Sequence, residues 1–373
     1  MSFSESKRYA IFVLSLFAFL YTTTLLRGRF QHLVTTPNPI ALESEPIFEK
    51  ENATLVILAR NSELKGVLLS MKSLEMHFNT RFQYPYVLLN DEEFTNEFKG
   101  RVMLATNAPV QFGLIPRDHW VQPAWVDEAK AEQSRERLKA QNIIYGDSIS
   151  YRNMCRFNSG YFFKHQLLQQ YRYYWRIEPD VKYFCDINYD PFKFMIKNNH
   201  TYGFTIALYE TPETVTTLWD SVKEFMVKYP QYIANDNAMD FLSDDGGKTY
   251  NMCHFWSNFE IADLDFWRSE AYQTFFEFLD NTGGFYYERF GDAPIHSIAA
   301  ALFLPKHKLH FFRNIGYQHS IYQHCPSSYE AGSNTCSCSW WNTIDYTKAS
   351  CLPRYEAMMS KELGMTASPL PWY

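Results

Sequence analysis

The chain has 373 residues, a net charge of −6, 46% hydrophobic residues and 18% aromatics. Charged residues make up 20%, near enough to the globular average of about 25% to exclude a disordered chain. The acidic balance argues against a nucleic-acid binder, which would carry a basic surface, and the length is ample for a large core.

Taken in chain order, the first element is apolar. Tyr9 to Leu26 carries no charge and would span about 27 Å as a helix. Lys7 and Arg8 precede it, Arg27 and Arg29 follow it, and no small-residue cleavage site comes next. We therefore expect a cytoplasmic tail (1–8), an uncleaved transmembrane signal-anchor (9–26), a stem (27–50) and one lumenal domain (51–373). The rival is a cleaved signal peptide built on Ala10–Leu20. Asn52-Ala-Thr54 and Asn199-His-Thr201 are glycosylation sequons, and there are seven cysteines. Both suit an oxidising lumen. An odd cysteine count leaves at least one thiol without an intrachain partner. A zinc site from His319, His324, Cys325, Cys336 and Cys338 is the alternative, but it lacks a C-x2-C pair.

The body opens with Thr54 to Arg60, a short apolar run that predicts a buried strand. Leu64, Val67, Leu68, Met71 and Leu74 then recur at helical spacing, with Ser62 at the expected N-cap. Tyr86 to Leu89 reads as a second strand. This order predicts a βαβ unit and an α/β fold with a mostly parallel sheet. A charged, solvated helix is expected over Val126–Gln141. Further strands are expected at Tyr173–Ile177, Thr201–Tyr209 and Leu309–Phe312. Further helices are expected at Val215–Lys228, Phe266–Leu279 and Ala293–Leu304.

The sharpest chemical feature is Tyr173-Tyr-Trp-Arg-Ile-Glu-Pro-Asp180. A hydrophobic strand ends in two carboxylates, where open α/β sheets bind ligands. Glu178 and Asp180 could hold a divalent cation, or Glu178 could simply pair with Arg176. Asp263-Leu-Asp265 is a rival acidic pair, with helix capping as its plainer role. Glu260 lies between aromatics, and Asp292 precedes a helix whose first turn it could cap. His319 follows a strand and could ligate a metal. Arg152 and Arg156 share a helical face by i, i+4 spacing. They could clamp a phosphate or form salt bridges. P-loop, HExxH, GxSxG and GxGxxG motifs are absent.

These segments together resemble the fungal α-1,2-mannosyltransferases of glycosyltransferase family 15. The resemblance lies in SYRNMCRFNSGYFF, YYWRIEPDVKYFCDINYD, the long stretch from NFEIADLDFWR to FGDAPIHSIAAALFLP, and FFRNIGYQH followed by HCP. It implies a GT-A-like fold, GDP-mannose as donor, a mannosylated glycoprotein as acceptor, Mn²⁺ as cofactor and a type II Golgi or endoplasmic reticulum membrane setting. It makes Glu178 and His319 the metal ligands. It gives Glu260 the role of nucleophile on the sugar's anomeric carbon, although retention also allows front-face attack with Glu260 as a stabilising anion, and puts Tyr151 and Asp292 beside the donor sugar. Arg60 becomes a nucleotide contact, and Asp263-Leu-Asp265 becomes structural. Phe290 stands where the family pattern suggests Trp. On this reading Tyr151, Tyr173, Tyr174, Trp175, Phe259, Phe285 and Tyr286 are expected to wall a sugar cleft. Two other classes compete. A glycosidase would use Glu178 and Glu260 as its carboxylate pair, about 5–9.5 Å apart. A non-catalytic anchored protein would bind glycans or scaffold other enzymes.

Overall fold

The computed structural model describes residues 49–362 apart from Ser333. The expected tail and signal-anchor, and nearly all of the stem, lie outside the described residues. Among the described residues no helix is long and apolar enough to cross a membrane.

The first strand, β1 (Ala53–Leu58), is followed by the helix Leu64–Leu74, then β2 (Tyr86–Asn90) and β3 (Val110–Leu114). Next come β4 (Tyr173–Ile177), β5 (Lys182–Tyr183), β6 (Tyr202–Phe204), β7 (Ala207–Tyr209), β8 (Cys253–Phe255) and β9 (Glu260–Asp263). The last three are β10 (Leu309–Phe311), β11 (Tyr317–His319) and β12 (Tyr322–His324). Seven of them form the central sheet, in the order β10-β6-β9-β4-β1-β2-β3. The pairs β1–β2, β2–β3, β1–β4 and β6–β10 are parallel. Only β9 runs against its neighbours. The fold is therefore mixed α/β with a mostly parallel sheet.

Strand periodicity divides the core. Val56 of β1 packs on one face with Val87, Leu89 and Tyr174. Leu55 and Ile57 pack on the other with Leu88, Tyr173 and Trp175. Successive side chains point to opposite faces, so a strand covered on both sides reads as a continuous apolar run. The helix Leu64–Leu74 buries Val67, Met71 and Leu74, one stripe at helical spacing.

Several local expectations change. Ser62 is not an N-cap, because a 3₁₀ turn (Asn61–Glu63) precedes the helix and Arg60 is its cap, with Glu63 accepting from the Arg60 backbone N–H. The expected strand Thr201–Tyr209 is two strands in two sheets, β6 and β7. The expected helix Phe266–Leu279 is broken at Ser269, whose hydroxyl caps the second piece, Glu270–Asp280. The short β9 has only four residues, too few for a periodic pattern to announce it.

The aromatics chiefly fill the core. Tyr173, Tyr174, Trp175, Phe259, Phe285 and Tyr286 are all buried, none more than 4% exposed. Only Tyr151 of the seven expected cleft residues is half-buried. Phe290 is buried too and packs against Phe285, so it belongs to the core. Three disulfides join Cys185 to Cys336, Cys253 to Cys351 and Cys325 to Cys338. Cys155 is the free, buried thiol. With its three cysteines in disulfides, the zinc alternative falls away.

Candidate functional site

Strand β4 ends at Ile177, so Glu178-Pro179-Asp180 emerges at the carboxyl edge of the parallel strands. Asp180 adopts a left-handed backbone, φ 61°, and its N–H donates to Gly66 O at 3.1 Å. The turn brings the chain back into β5. β11 pairs antiparallel with β5, Gln318 opposite Lys182. That register carries His319 one step further, level with the Glu178–Asp180 turn. Glu178 and Asp180 are both close enough to act electrostatically on His319.

The antiparallel course of β9 sets the third side. Its first residue, Glu260, lies opposite Arg176 of β4. Asp292 arrives from the start of the helix Asp292–Phe303. The Arg176 guanidinium joins these acids. Its Nε donates to Glu178 Oε1 at 2.7 Å, and NH1 donates to Asp292 Oδ2 at 2.5 Å. NH1 also lies 4.0 Å from Glu260 Oε1. Burial opposes the charge on Arg176, but the three carboxylates outweigh it and raise its pKa. Burial likewise opposes ionisation of Asp292, yet Arg176 and His296 hold its pKa below the usual value. Ser257 donates to the same Asp292 oxygen at 2.8 Å. Asp292 is thus an ion-pair partner rather than a helix cap.

Glu260 is 1% exposed. Tyr174 OH donates to Oε1 at 2.7 Å and Tyr202 OH to Oε2 at 3.1 Å. His296 Nδ1 lies 3.0 Å from Oε2. These three partners fix the carboxylate in place beside a small cavity that it lines with Arg176 and Tyr174. Both roles expected for Glu260, nucleophile and stabilising anion, place it where these partners hold it.

Glu178 is half-buried, and Oε1 alone is committed to Arg176. His319 Nδ1 lies 2.8 Å from Asn258 Nδ2, which leaves Nε2 as the ring's remaining ligand atom. Burial pushes the imidazole pKa down and favours the neutral form that ligation needs. Among the described residues no three His, Cys, Asp or Glu side chains close around one point. A cation between Glu178 and His319 would therefore keep open positions for ligand oxygens.

Tyr151 sits in the first turn of the helix Ile149–Gly160, whose start Ser148 caps. Its ring stacks on Tyr145 at 4.6 Å, and the Arg289 guanidinium lies 5.1 Å from its centre. Burial raises its phenol pKa well above 10, and Cys155, Asp292 and Glu210 act in the same direction. Arg60 is exposed just beyond β1 and its guanidinium donates to Ser150 Oγ, one residue before Tyr151.

The remaining candidates are structural. Arg156 makes a buried bidentate pair with Asp280, at 2.7 and 2.8 Å. Arg152 is fully buried and donates to two backbone carbonyls. Neither is placed to clamp a phosphate. Asp263 caps the helix Leu264–Arg268 and accepts from Arg172, as the capping role predicted. Sequence reasoning treated Arg176 only as a partner for Glu178. It missed Ser257, Asn258, Tyr174, Tyr202 and His296 as supports, because each lies far from its partner in sequence.

The family model described as glycolipid 2-alpha-mannosyltransferase matches residues 30–360. The chain belongs to this family, glycosyltransferase family 15. It is 53% identical over 311 residues to the Candida albicans protein named glycolipid 2-alpha-mannosyltransferase 2, covering 82% of this chain and 67% of that one. Among solved structures, the mannosyltransferase Ktr4p from Saccharomyces cerevisiae in complex with GDP is 40% identical with a TM-score of 0.81, covering 87% of this chain and 86% of that one. Core-mannan synthase A from Aspergillus fumigatus, in its Mn/GDP form, is 43% identical with a TM-score of 0.76, covering 85% of this chain and 87% of that one.

Proposed function

We propose that this protein is a retaining α-1,2-mannosyltransferase that moves mannose from GDP-mannose to mannosyl glycans on secreted glycoproteins. The observation that carries this reading is the Arg176 junction. It holds a carboxylate at a strand end together with a second acid, and His319 lies within electrostatic reach of that carboxylate. Family membership and the GDP-bound relatives support the same donor.

Glu178 and His319 would hold Mn²⁺, a suitable metal for one carboxylate and one imidazole. When bound, the ion supplies charge stabilisation for the departing diphosphate. Asp292, fixed by Arg176 and Ser257, orients the donor sugar through its hydroxyls. Tyr151 lines the same side and stays protonated at neutral pH, so its hydroxyl can donate. The acceptor hydroxyl attacks the anomeric carbon from the face that GDP leaves, and its proton passes to the departing phosphate oxygen. Glu260 remains a buried anion that steadies Arg176 and offsets developing positive charge.

The test is transfer from GDP-mannose to methyl α-mannoside, with and without Mn²⁺, followed by linkage analysis. A 1→2 product, lost with chelator and with Glu178→Ala, is expected. Chelator-insensitive transfer or full activity in Glu178→Ala would overturn the assignment. O- and N-linked acceptor glycans compared in the same assay decide the natural acceptor.

A single-pass type II setting in the Golgi or endoplasmic reticulum goes with this activity. Three disulfides and the exposure of Asn52 and Asn199 support a lumenal body. Glycosidase-sensitive mobility that disappears in the double Asn→Gln variant is the expected signature.

A further inference from the structure

A pocket of about 730 Å³ shares no residue with the acidic site. It is bounded by Tyr189, Phe194, His310, Arg313, Asn314 and Tyr329, among others. That size is within the range of small-molecule sites, about 300–1,000 Å³.

Its chemistry is that of a neutral, hydroxyl-rich ligand. Arg313 is paired with Glu356 at 2.5 Å and with Glu330 at 3.4 Å. The cation is thus compensated and makes a poor phosphate receptor. His310 is half-buried, and burial with the nearby His200 and Arg313 pushes its pKa down to about 3, so it adds no charge. Asn314 Oδ1 accepts from Tyr189 OH at 2.9 Å. Asn314 lines the pocket together with Tyr189, Phe194 and Phe311, and its amide group can donate as well as accept. Aromatic faces with planar polar groups at their edges suit a pyranose, which is apolar on one face and rimmed by hydroxyls.

The rim is also held in place. Tyr329 is 93% exposed, a costly position for a large ring that packs on nothing. It stands on a short helix with a Ser327–Glu330 capping box. The segment is closed by Cys325–Cys338 and tied to β5's flank by Cys185–Cys336. The backbone that carries the ring is thus held in place, so binding has to order only the side chain.

We propose that this pocket is a second glycan site, separate from the acidic cluster, that holds a mannose oligosaccharide of the acceptor. The proposal rests on the mannosyltransferase reading for the identity of the sugar. It implies that extended acceptors are gripped at two places and monosaccharides at one.

The experiment titrates α-1,2-mannotriose into the purified full chain by calorimetry, without GDP or Mn²⁺. It is repeated with Tyr329→Ala, and with Asn314→Asp as a second variant. Tyr329 is exposed, so its removal leaves the fold intact. Weakening of about tenfold, equal to 1.4 kcal/mol, is expected in each variant. The KM for long mannan should rise by a similar factor, with kcat and the KM for methyl α-mannoside unchanged. Absence of mannotriose binding, or equal binding by wild type and Tyr329→Ala, would overturn the second site. Failure of the mannosyltransferase reading would show separately, as no transfer to methyl α-mannoside by the wild type.

Discussion

Arg176 NH1 lies 2.5 Å from Asp292 Oδ2, joining residues 116 apart in sequence. The same guanidinium holds Glu178 through Nε. One side chain thus fixes both the expected metal ligand and the acid expected to face the sugar. Arg is suited to this because its planar fork offers several donors in fixed directions.

Arg176→Met should be severe. It removes the cation from three carboxylates, and breaking a buried pair on one side costs about 3–5 kcal/mol. Arg176→Lys keeps charge but not the fork. It should fold, with a lower Tm, weaker Mn²⁺ binding by electron paramagnetic resonance and reduced kcat. Unchanged Mn²⁺ affinity in Arg176→Lys would show that Glu178 does not need this support.

Glu260→Gln tests the anion role. The amide keeps the shape but loses the charge near Arg176. Reduced kcat with nearly unchanged KM is expected, since the loss falls on the transition state. Intact-mass analysis with a slow fluorinated donor should show no mannosyl adduct on wild-type Glu260. An adduct there would establish it as nucleophile.

His324 gives a pH dependence outside the site. Its Nδ1 lies 2.6 Å from Asp345 Oδ2, both groups buried. Burial alone would lower its pKa, but Asp345 and the Arg313 carbonyl outweigh burial and raise it. A raised folded-state pKa means that the stabilisation is full below the unfolded value of about 6.5 and fades as pH rises through the folded value. The Tm difference between wild type and His324→Gln should therefore shrink from pH 6 to pH 9. A difference that does not change with pH would refute the linkage.

The Cys253–Cys351 bond closes a separation of 98 residues and ties β8 to the start of the helix Leu352–Glu362. Replacing both cysteines with Ser should cost about 2–5 kcal/mol. Urea denaturation measures this, and a midpoint equal to that of wild type would show the closing segment to be held by packing alone.

Much of the frame is legible in the sequence. The apolar runs of β1, β2 and β4 and the stripe of the helix Leu64–Leu74 are local patterns set by burial. The Glu178-Pro179-Asp180 strand end is equally local. Chain breaks were less legible. The switch between β6 and β7 and the cap at Ser269 depend on which neighbour each segment meets, not on its own composition. The aromatic excess shows the same limit, since a Tyr or Trp suits core and cleft alike. Packing sent six of the seven into the core, where Tyr174 still reaches Glu260.

The sequence by itself determined the fold class, the family and the identity of the acids and the histidine, because these rest on side-chain type and short-range order. Only the tertiary structure decided their arrangement. The reversed course of β9 put Glu260 opposite Arg176, the pairing of β11 with β5 brought His319 within electrostatic reach of Glu178, and a helix start delivered Asp292. Charges in a buried site act over a few ångströms, so their roles depend on distances that no local pattern encodes.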